Sequence, residues 1–257
     1  MRLKLIACKA LFRELSYLSA LSDNAVDATW IRQGCHDHPE QLREVLQREI
    51  DLTESGEDLH TNKILEDGDA SGVIEDFDAI LIGYGLCSNG TIGLSSKKYR
   101  LVIPKAHDCI TLFLGSKERY AQYFESLPGC FWYTASWIEN TTMPGKERAE
   151  RSAQSYREMG YDEDTIEYLL SELSGVNNYH HAAYIRMPYL DREIYRKTTR
   201  DAAGYFNWEY HEIEGNMGLM EKFIAGKWDP EEFLVLEPGE KAVPSYDAGI
   251  IKAAGNL

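Results

Sequence analysis

Three cysteines in this chain share one setting, and that setting points to metal chemistry. Cys8 follows the apolar run Leu3-Lys4-Leu5-Ile6-Ala7. Cys87 follows Ala79–Ile82 through the loop Gly83-Tyr84-Gly85-Leu86. Cys109 follows Leu101–Ile103 through Pro104-Lys105-Ala106-His107-Asp108. Each run is short, β-branched and bounded by turn residues, which predicts a buried strand. The cysteines therefore fall where strands end and helices begin, the end at which open parallel sheets bind ligands. A helix N-terminus favours the thiolate, and the thiolate is the form that ligates metal. Three thiolates from separate loops can hold a [4Fe–4S] cluster whose fourth iron stays open to a substrate atom, whereas four-cysteine ligation is the electron-transfer arrangement. Gly83, Gly85 and Gly90 suit a backbone that passes close to something bulky.

Other readings of the same residues stand beside this one. His107-Asp108-Cys109 is an HxC pair, and with Cys87 it could ligate a zinc ion that activates a thiol or water; the cluster reading gives Cys8 a role as well. Free cysteine is also among the most buried residue types, so each could be a packing residue. Cys35, beside His36, sits in a polar loop and Cys130 begins a strand; neither is expected to ligate. Lys9, Lys105 and Arg13 could bind a carboxylate or phosphate. Ser88 and Asn89 offer hydroxyl and amide contacts, and His107 or Tyr84 would move the proton. His180-His181 reads as an ordinary strand start. The spacing of Gly83, Gly85 and Gly90 departs from the dinucleotide fingerprint.

The elements that must place these groups alternate. Strands are expected at Arg2–Ala7, Val26–Ile31, Ala79–Ile82, Leu101–Ile103, Cys130–Thr134, His181–Met187, Phe206–Tyr210 and Phe233–Leu236. Helices are expected at Lys9–Leu21 with Leu11, Leu15 and Leu18 on one face, from Pro39 onward, from Cys109 to about Ser126, at Tyr189–Ala203 ended by Gly204, and at Met217–Ala225. Thr53 to Gly72 is polar and acidic, an exposed helix end plus loop. The alternation implies an α/β fold, a mostly parallel, Rossmann-like sheet with helices on both faces. One domain over 1–257 is expected, with a helical insertion or lid at about 137–175 over the strand carboxyl ends.

Composition narrows the class. The 257 residues are 44% hydrophobic with a formal net charge of −15. That acidity argues against nucleic-acid and anionic-membrane partners. No run of about 18 apolar residues predicts a membrane span, and the N-terminus is too short an apolar run for a secretory signal, so a cytoplasmic location is expected. Five widely spaced cysteines in such a chain fit metal binding or catalysis better than a disulfide framework.

The segments LIACKALFRELSYL, WIRQGCHDHPEQLREVLQ, DAILIGYGLCSNGTIGL and LVIPKAHDCITLFLGSKERY together resemble a family of bacterial and archaeal proteins of unknown function. Its members occur largely in anaerobes and methanogens, often encoded near corrinoid-dependent methyltransferases. In that family's pattern Cys8, Cys87 and Cys109 match cysteine positions, while Cys35 departs from it. The opening strand followed by Ala7-Cys8-Lys9 also looks like that of the thiouracil desulfidase family, which binds an iron–sulfur cluster through three cysteines. Quinolinate synthases likewise use three cysteines from separate loops. The corrinoid neighbourhood implies the zinc alternative, since zinc methyltransferases of that pathway use an HxC pair, although this chain is short for their barrel. Three functions are thus expected: an iron–sulfur enzyme acting on a small polar substrate, desulfidase- or lyase-like; a zinc-dependent methyl-transfer protein; or a metal- or corrinoid-handling accessory protein. The partners expected are a small-molecule substrate and either a second copy of the chain or a corrinoid protein.

Overall fold

The computed structural model describes residues 1–61, 63, 75–173, 175–247 and 249–254. Part of the expected acidic loop before Gly72 lies outside the described residues. The chain forms two compact units, Met1–Gly115 with Met217–Leu257, and Ser116–Asn216. No helix among the described residues is long and apolar enough to cross a membrane.

The first unit starts with β1 (Arg2–Cys8), a 3₁₀ turn at Lys9–Leu11, α1 (Phe12–Leu21), β2 (Ala25–Ile31), α2 (Pro39–Ser55), β3 (Ala79–Gly83), β4 (Arg100–Pro104) and α3 (Cys109–Leu114). Its sheet has the order β2-β1-β3-β4-β8, where β8 is Phe233–Leu236. The first four strands are parallel and β8 is antiparallel to β4. The result is a mixed α/β fold with a mostly parallel central sheet. Leu3, Leu5, Ile6, Ala79–Ile82 and Leu101–Ile103 are fully buried, as strands covered on both faces must be. Lys4, also fully buried, is the exception: its ammonium donates to the Asp58 carboxylate and, at 3.1 Å, to the Thr61 hydroxyl.

This order places the site. From β1 the chain crosses to β2 on one side, then returns past β1 to β3 on the other. Right-handed crossovers put α1 and α2 on opposite faces, and β1 and β3 become the topological switch point, the place where open α/β sheets bind ligands. Leu11, Leu15 and Leu18 are buried as their spacing predicts, and α1 packs against α9 (Gly218–Ile224). In α2 the buried residues Leu42, Leu46, Glu49, Ile50 and Thr53 keep the helical period. His38, at the N-cap position of α2, makes no side-chain cap hydrogen bond.

Other boundaries shift for local reasons. The helix expected from Cys109 to Ser126 is broken: Gly115 is left-handed at φ 84°, and the Ser116 hydroxyl accepts from the Arg119 N–H at 3.1 Å to start α4 (Lys117–Ser126). In the second unit, β5 (Cys130–Tyr133), β6 (His181–Arg186) and β7 (Glu209–Glu214) form a separate parallel sheet. Helix α8 (Glu193–Phe206) runs past Gly204 and ends on Asn207 at φ 57°, so the strand expected at Phe206 begins at Glu209; Asn is the residue that most readily replaces glycine there. Helices α5 (Ala135–Asn140), α6 (Lys146–Glu158) and α7 (Glu163–Tyr168) carry the 137–175 segment. Tyr133, Tyr184, Tyr195 and Trp208 centre the unit's core, with Trp137 packed against it. The tail adds a hairpin in the first unit, β9 (Lys241–Pro244) with β10 (Ile251–Ala254).

Candidate metal centre at the switch point

Each of the four parallel strands delivers a cysteine at its carboxyl end. Cys8 is the last residue of β1 and caps the 3₁₀ turn, its sulfur accepting from the Ala10 N–H at 3.4 Å. Cys87 follows β3, Cys109 opens α3 after β4, and Cys35 opens a 3₁₀ turn after β2. All are free thiols; Cys8 is buried and the others are partly exposed.

The loops after β3 and β4 continue the sheet's pairing. The Leu86 N–H donates to the Ala106 carbonyl at 2.7 Å, and the Cys87 N–H to the His107 carbonyl at 2.9 Å. Gly85 permits this approach: a Cβ there would meet the Ala106 oxygen at 2.8 Å and the Asp108 nitrogen at 3.0 Å. The expectation that glycine lets something bulky approach is met here by the chain's own second loop. Asp108 caps α3, accepting from the Ile110 N–H at 3.0 Å and the Thr111 N–H at 3.4 Å, and so fixes where Cys109 enters.

Backbone strain falls on the Cys87 loop itself. Cys87, Ser88 and Asn89 are consecutive at φ 45°, 56° and 69°, a left-handed turn closed by the Gly90 N–H on the Cys87 carbonyl at 3.0 Å. Left-handed geometry costs an ordinary residue about 1–2 kcal/mol, and such outliers concentrate at functional sites.

The thiols affect one another. Burial pushes the Cys87 thiol up to about 12, with the charges of Cys8 and Asp108 adding to the rise. Burial and then Cys87, Asp108 and Cys8 hold Cys109 well above its ordinary value. Cys8 is raised by burial despite the Ala10 N–H and Tyr84, with Cys35 adding. A helix N-terminus favours the thiolate, but here the helices are a single 3₁₀ turn and a six-residue α3, too short to outweigh desolvation and mutual repulsion in the metal-free site. Protonated in isolation, these thiols would release their protons to solvent on binding a cation, which supplies the countercharge.

The remaining expected residues take these places. Tyr84 is 3% exposed; its hydroxyl lies against the Cys8 thiol yet outside full hydrogen-bonding geometry to any described group. Burial first, then the charges of Cys8, Cys87 and Cys35, keep it protonated, which makes it a donor and a poor base. The Thr111 hydroxyl, two residues past Cys109, is likewise buried without a partner. His107 is exposed, and what it gives the site is its carbonyl. Ser88 and Asn89 are exposed on the strained turn, the Asn89 carbonyl accepting from Arg43 at 3.2 Å. Lys105 is half-buried and helps hold the Asp247 carboxyl below its usual range, after the Ser245 hydroxyl, the Gly249 N–H and Lys252. Lys9 is exposed beside Cys8.

Cys35 follows β2 as the other three cysteines follow their strands, and its charge adds to the rise of both the Cys8 thiol and the Tyr84 hydroxyl. The residues present suit an iron–sulfur cluster in chemistry: thiols from separate loops, with the buried Tyr84 hydroxyl against Cys8. Among the described residues these groups do not gather into any trio with all ligand atoms within 4.8 Å of one another, while sulfurs about 2.3 Å from one tetrahedral zinc would stand roughly 3.8 Å apart.

The family model described as "Protein of unknown function (DUF1638)" matches residues 30–224. The chain belongs to this family. The match includes Cys35, Cys87 and Cys109 and begins after Cys8. No curated protein and no solved structure matches the chain.

Proposed function

We propose that Cys8, Cys87 and Cys109 hold a [4Fe–4S] cluster and that the chain is a cytosolic enzyme acting on a small polar substrate, in the manner of a desulfidase or lyase. The observation that carries this reading is the convergence of mutually coupled thiols on the switch point of a parallel sheet. Bound through three thiolates, such a cluster supplies one iron without a protein ligand, a Lewis acid or sulfur acceptor.

The chain's own residues would do the rest. Tyr84, held protonated, donates a hydrogen bond beside Cys8. The exposed His107 ring is the group able to exchange protons with solvent. Lys9 and Lys105 lend positive charge for an anionic part of the substrate, and Ser88 and Asn89 contact it from the turn. The cluster reading is preferred to a single zinc ion held by His107, Cys109 and Cys87 because it also gives Cys8 a role. The family resemblance adds a setting to the proposal: anaerobic metabolism near corrinoid methyltransferases, with a corrinoid protein or a second copy of the chain as partner.

Anaerobic purification tests this directly. Brown protein with about four irons per chain and broad absorption near about 400 nm is expected. Colourless protein whose zinc is lost on His107→Ala replacement would instead support the zinc methyl-transfer reading. Protein that takes up neither metal on anaerobic reconstitution would reduce the cysteines to packing residues.

A further inference from the structure

A second group of ligand atoms lies in the other unit, on the β5-β6-β7 sheet. His181 opens β6 and Glu209 opens β7, and the two are register partners. His211 follows Glu209 by two residues and so projects from the same face. His181 Nδ1 stands 3.0 Å from His211 Nε2. Glu209 straddles the pair, one oxygen 3.7 Å from His181 Nδ1 and the other 3.8 Å from His211 Nε2. Among the described residues this is the trio of histidine, cysteine or carboxylate groups whose ligand atoms all lie within 4.8 Å of one another. The opposite face of the sheet carries Tyr133, Ala182 and Tyr184 into the core. On the histidine face, α4 reaches Trp132 through Tyr123. The two rings remain 20% and 22% exposed and Glu209 68% exposed, so the trio is open to solvent.

We propose that His181, Glu209 and His211 form a metal site of the second unit that takes a divalent first-row transition ion and leaves coordination positions open to water or a small ligand. Imidazole nitrogens bind such ions at about 2.0–2.1 Å. Two of them 3.0 Å apart then subtend roughly 90° at the ion, an angle of five- or six-coordinate rather than tetrahedral geometry. Neighbouring ligand atoms in such a geometry stand roughly 2.9 Å apart, so the carboxylate oxygens, now at 3.7 and 3.8 Å, need to close by roughly 0.8 Å, within reach of an exposed, rotatable glutamate. Two histidines and one carboxylate on one face, with open positions, is the donor set of facial-triad centres. A hydrogen bond between two neutral rings would account for the nitrogen contact alone; it gives no reason for Glu209 to approach both.

Cobalt(II) is the probe. Full-length protein and its Cys87→Ser variant are titrated with Co²⁺ without oxygen, following weak visible d–d bands that lack thiolate charge transfer. Both should bind one equivalent in this way. His181→Ala and His211→Ala should lose it, and Glu209→Gln should weaken it at least tenfold. His211→Asn serves if the alanine variant does not fold, and circular dichroism checks each fold. The proposal is overturned if wild type shows no such equivalent, or if the histidine variants bind as wild type does. Because the Cys87→Ser arm carries the same signal, failure of the cysteine-cluster reading leaves this result intact, and the reverse holds.

Discussion

The Cys87 N–H donates to the His107 carbonyl at 2.9 Å, so the two loops carrying Cys87 and Cys109 are stitched together beyond the ends of their strands. With Leu86 on Ala106 at 2.7 Å, the pairing leaves Gly85 pressed against the facing backbone. Cys87 and Cys109 are thereby placed by main chain rather than by side-chain packing, the kind of rigid support a preorganised centre needs. Gly85→Ala must push the facing backbone away from contacts at 2.8 and 3.0 Å. It should cost about 1–3 kcal/mol in denaturant unfolding and should lower iron retention after anaerobic desalting. Unchanged stability and iron content would show that the loops are free to separate.

Replacing the thiols one at a time separates ligands from bystanders. Cys8→Ala, Cys87→Ala and Cys109→Ala should each abolish stable metal binding, because two thiolates leave the centre under-coordinated. Cys130→Ala should have no effect, its thiol being raised to about 12 by burial in the second unit. Cys35→Ser should keep the iron and alter only how the open iron meets added ligands, read as a shift in the spectrum of the reduced protein. Loss of iron in Cys35→Ser would mean four-cysteine ligation, and the open-iron enzyme would give way to an electron carrier.

The raised thiols predict a pH dependence in metal-free protein. At pH 8 a thiol pushed up to about 12, as Cys87 is, is ionised in about one molecule in ten thousand, against about one in ten at an ordinary value. Alkylation of Cys87, followed by mass spectrometry, should therefore be slow at pH 8 and rise about tenfold per pH unit to about pH 11. The same cysteine in denatured chain should level off above about pH 9. Stability follows the same sign: the folded state holds these protons more tightly, so their contribution is complete below about pH 9 and is lost as pH rises toward 12. Fast alkylation at pH 8 would mean that burial does not control the thiol.

Much of the first unit was legible, because buried parallel strands are near-continuous apolar runs and turn residues bound them. Ala79–Ile82 and Leu101–Ile103 lie within the observed β3 and β4, and Leu11, Leu15 and Leu18 lie on the buried face of their helix. What failed depended on tertiary context. Nothing local says that Gly204 continues a helix while Asn207 stops it, or that β8 enters antiparallel beside β4. The split at Gly115 is encoded by a glycine followed by a capping serine, a signal masked by the helical pattern on either side. The cysteine positions were legible from strand ends. Their pKa direction was not, since burial is a property of the packed sheet.

Lys4 lies in the middle of β1, where its neighbours are fully buried, and its charge is matched by Asp58. Removing one partner of such a pair leaves an uncompensated buried charge and costs about 3–5 kcal/mol. Lys4→Met should be destabilised on that scale in urea, and Lys4→Met/Asp58→Leu should recover much of it. Burial alone would raise the Asp58 carboxyl, but Lys4, the His60 N–H and Thr61 outweigh it, and the net shift is downward. The pair's contribution is therefore present above about pH 4 and lost as pH falls through the lower folded value. Lys4→Met should accordingly show a flatter stability profile between about pH 5 and 2; a profile parallel to wild type would remove Asp58 from the account.

The left-handed turn Cys87-Ser88-Asn89 offers the last test, because it separates strain from ligation. Ser88 sits at φ 56° in the middle of the turn with an exposed side chain. Glycine reaches that conformation at no steric cost but loses more entropy on folding, by about 0.5–1 kcal/mol. Set against about 1–2 kcal/mol of relieved strain, Ser88→Gly should be neutral or stabilising by up to about 1.5 kcal/mol, with iron content unchanged. Valine is the opposite case: a β-branched residue with positive φ is a steric outlier. Ser88→Val should therefore destabilise the protein by about 1–2 kcal/mol, and iron should dissociate faster, because the cheapest relaxation is to unwind the turn and withdraw Cys87. If Ser88→Val lowers stability but holds iron as tightly as wild type, the turn is a packing feature of the loop. If both variants match wild type in both measurements, the turn carries no strain and Cys87 is positioned by its hydrogen bond to His107 alone.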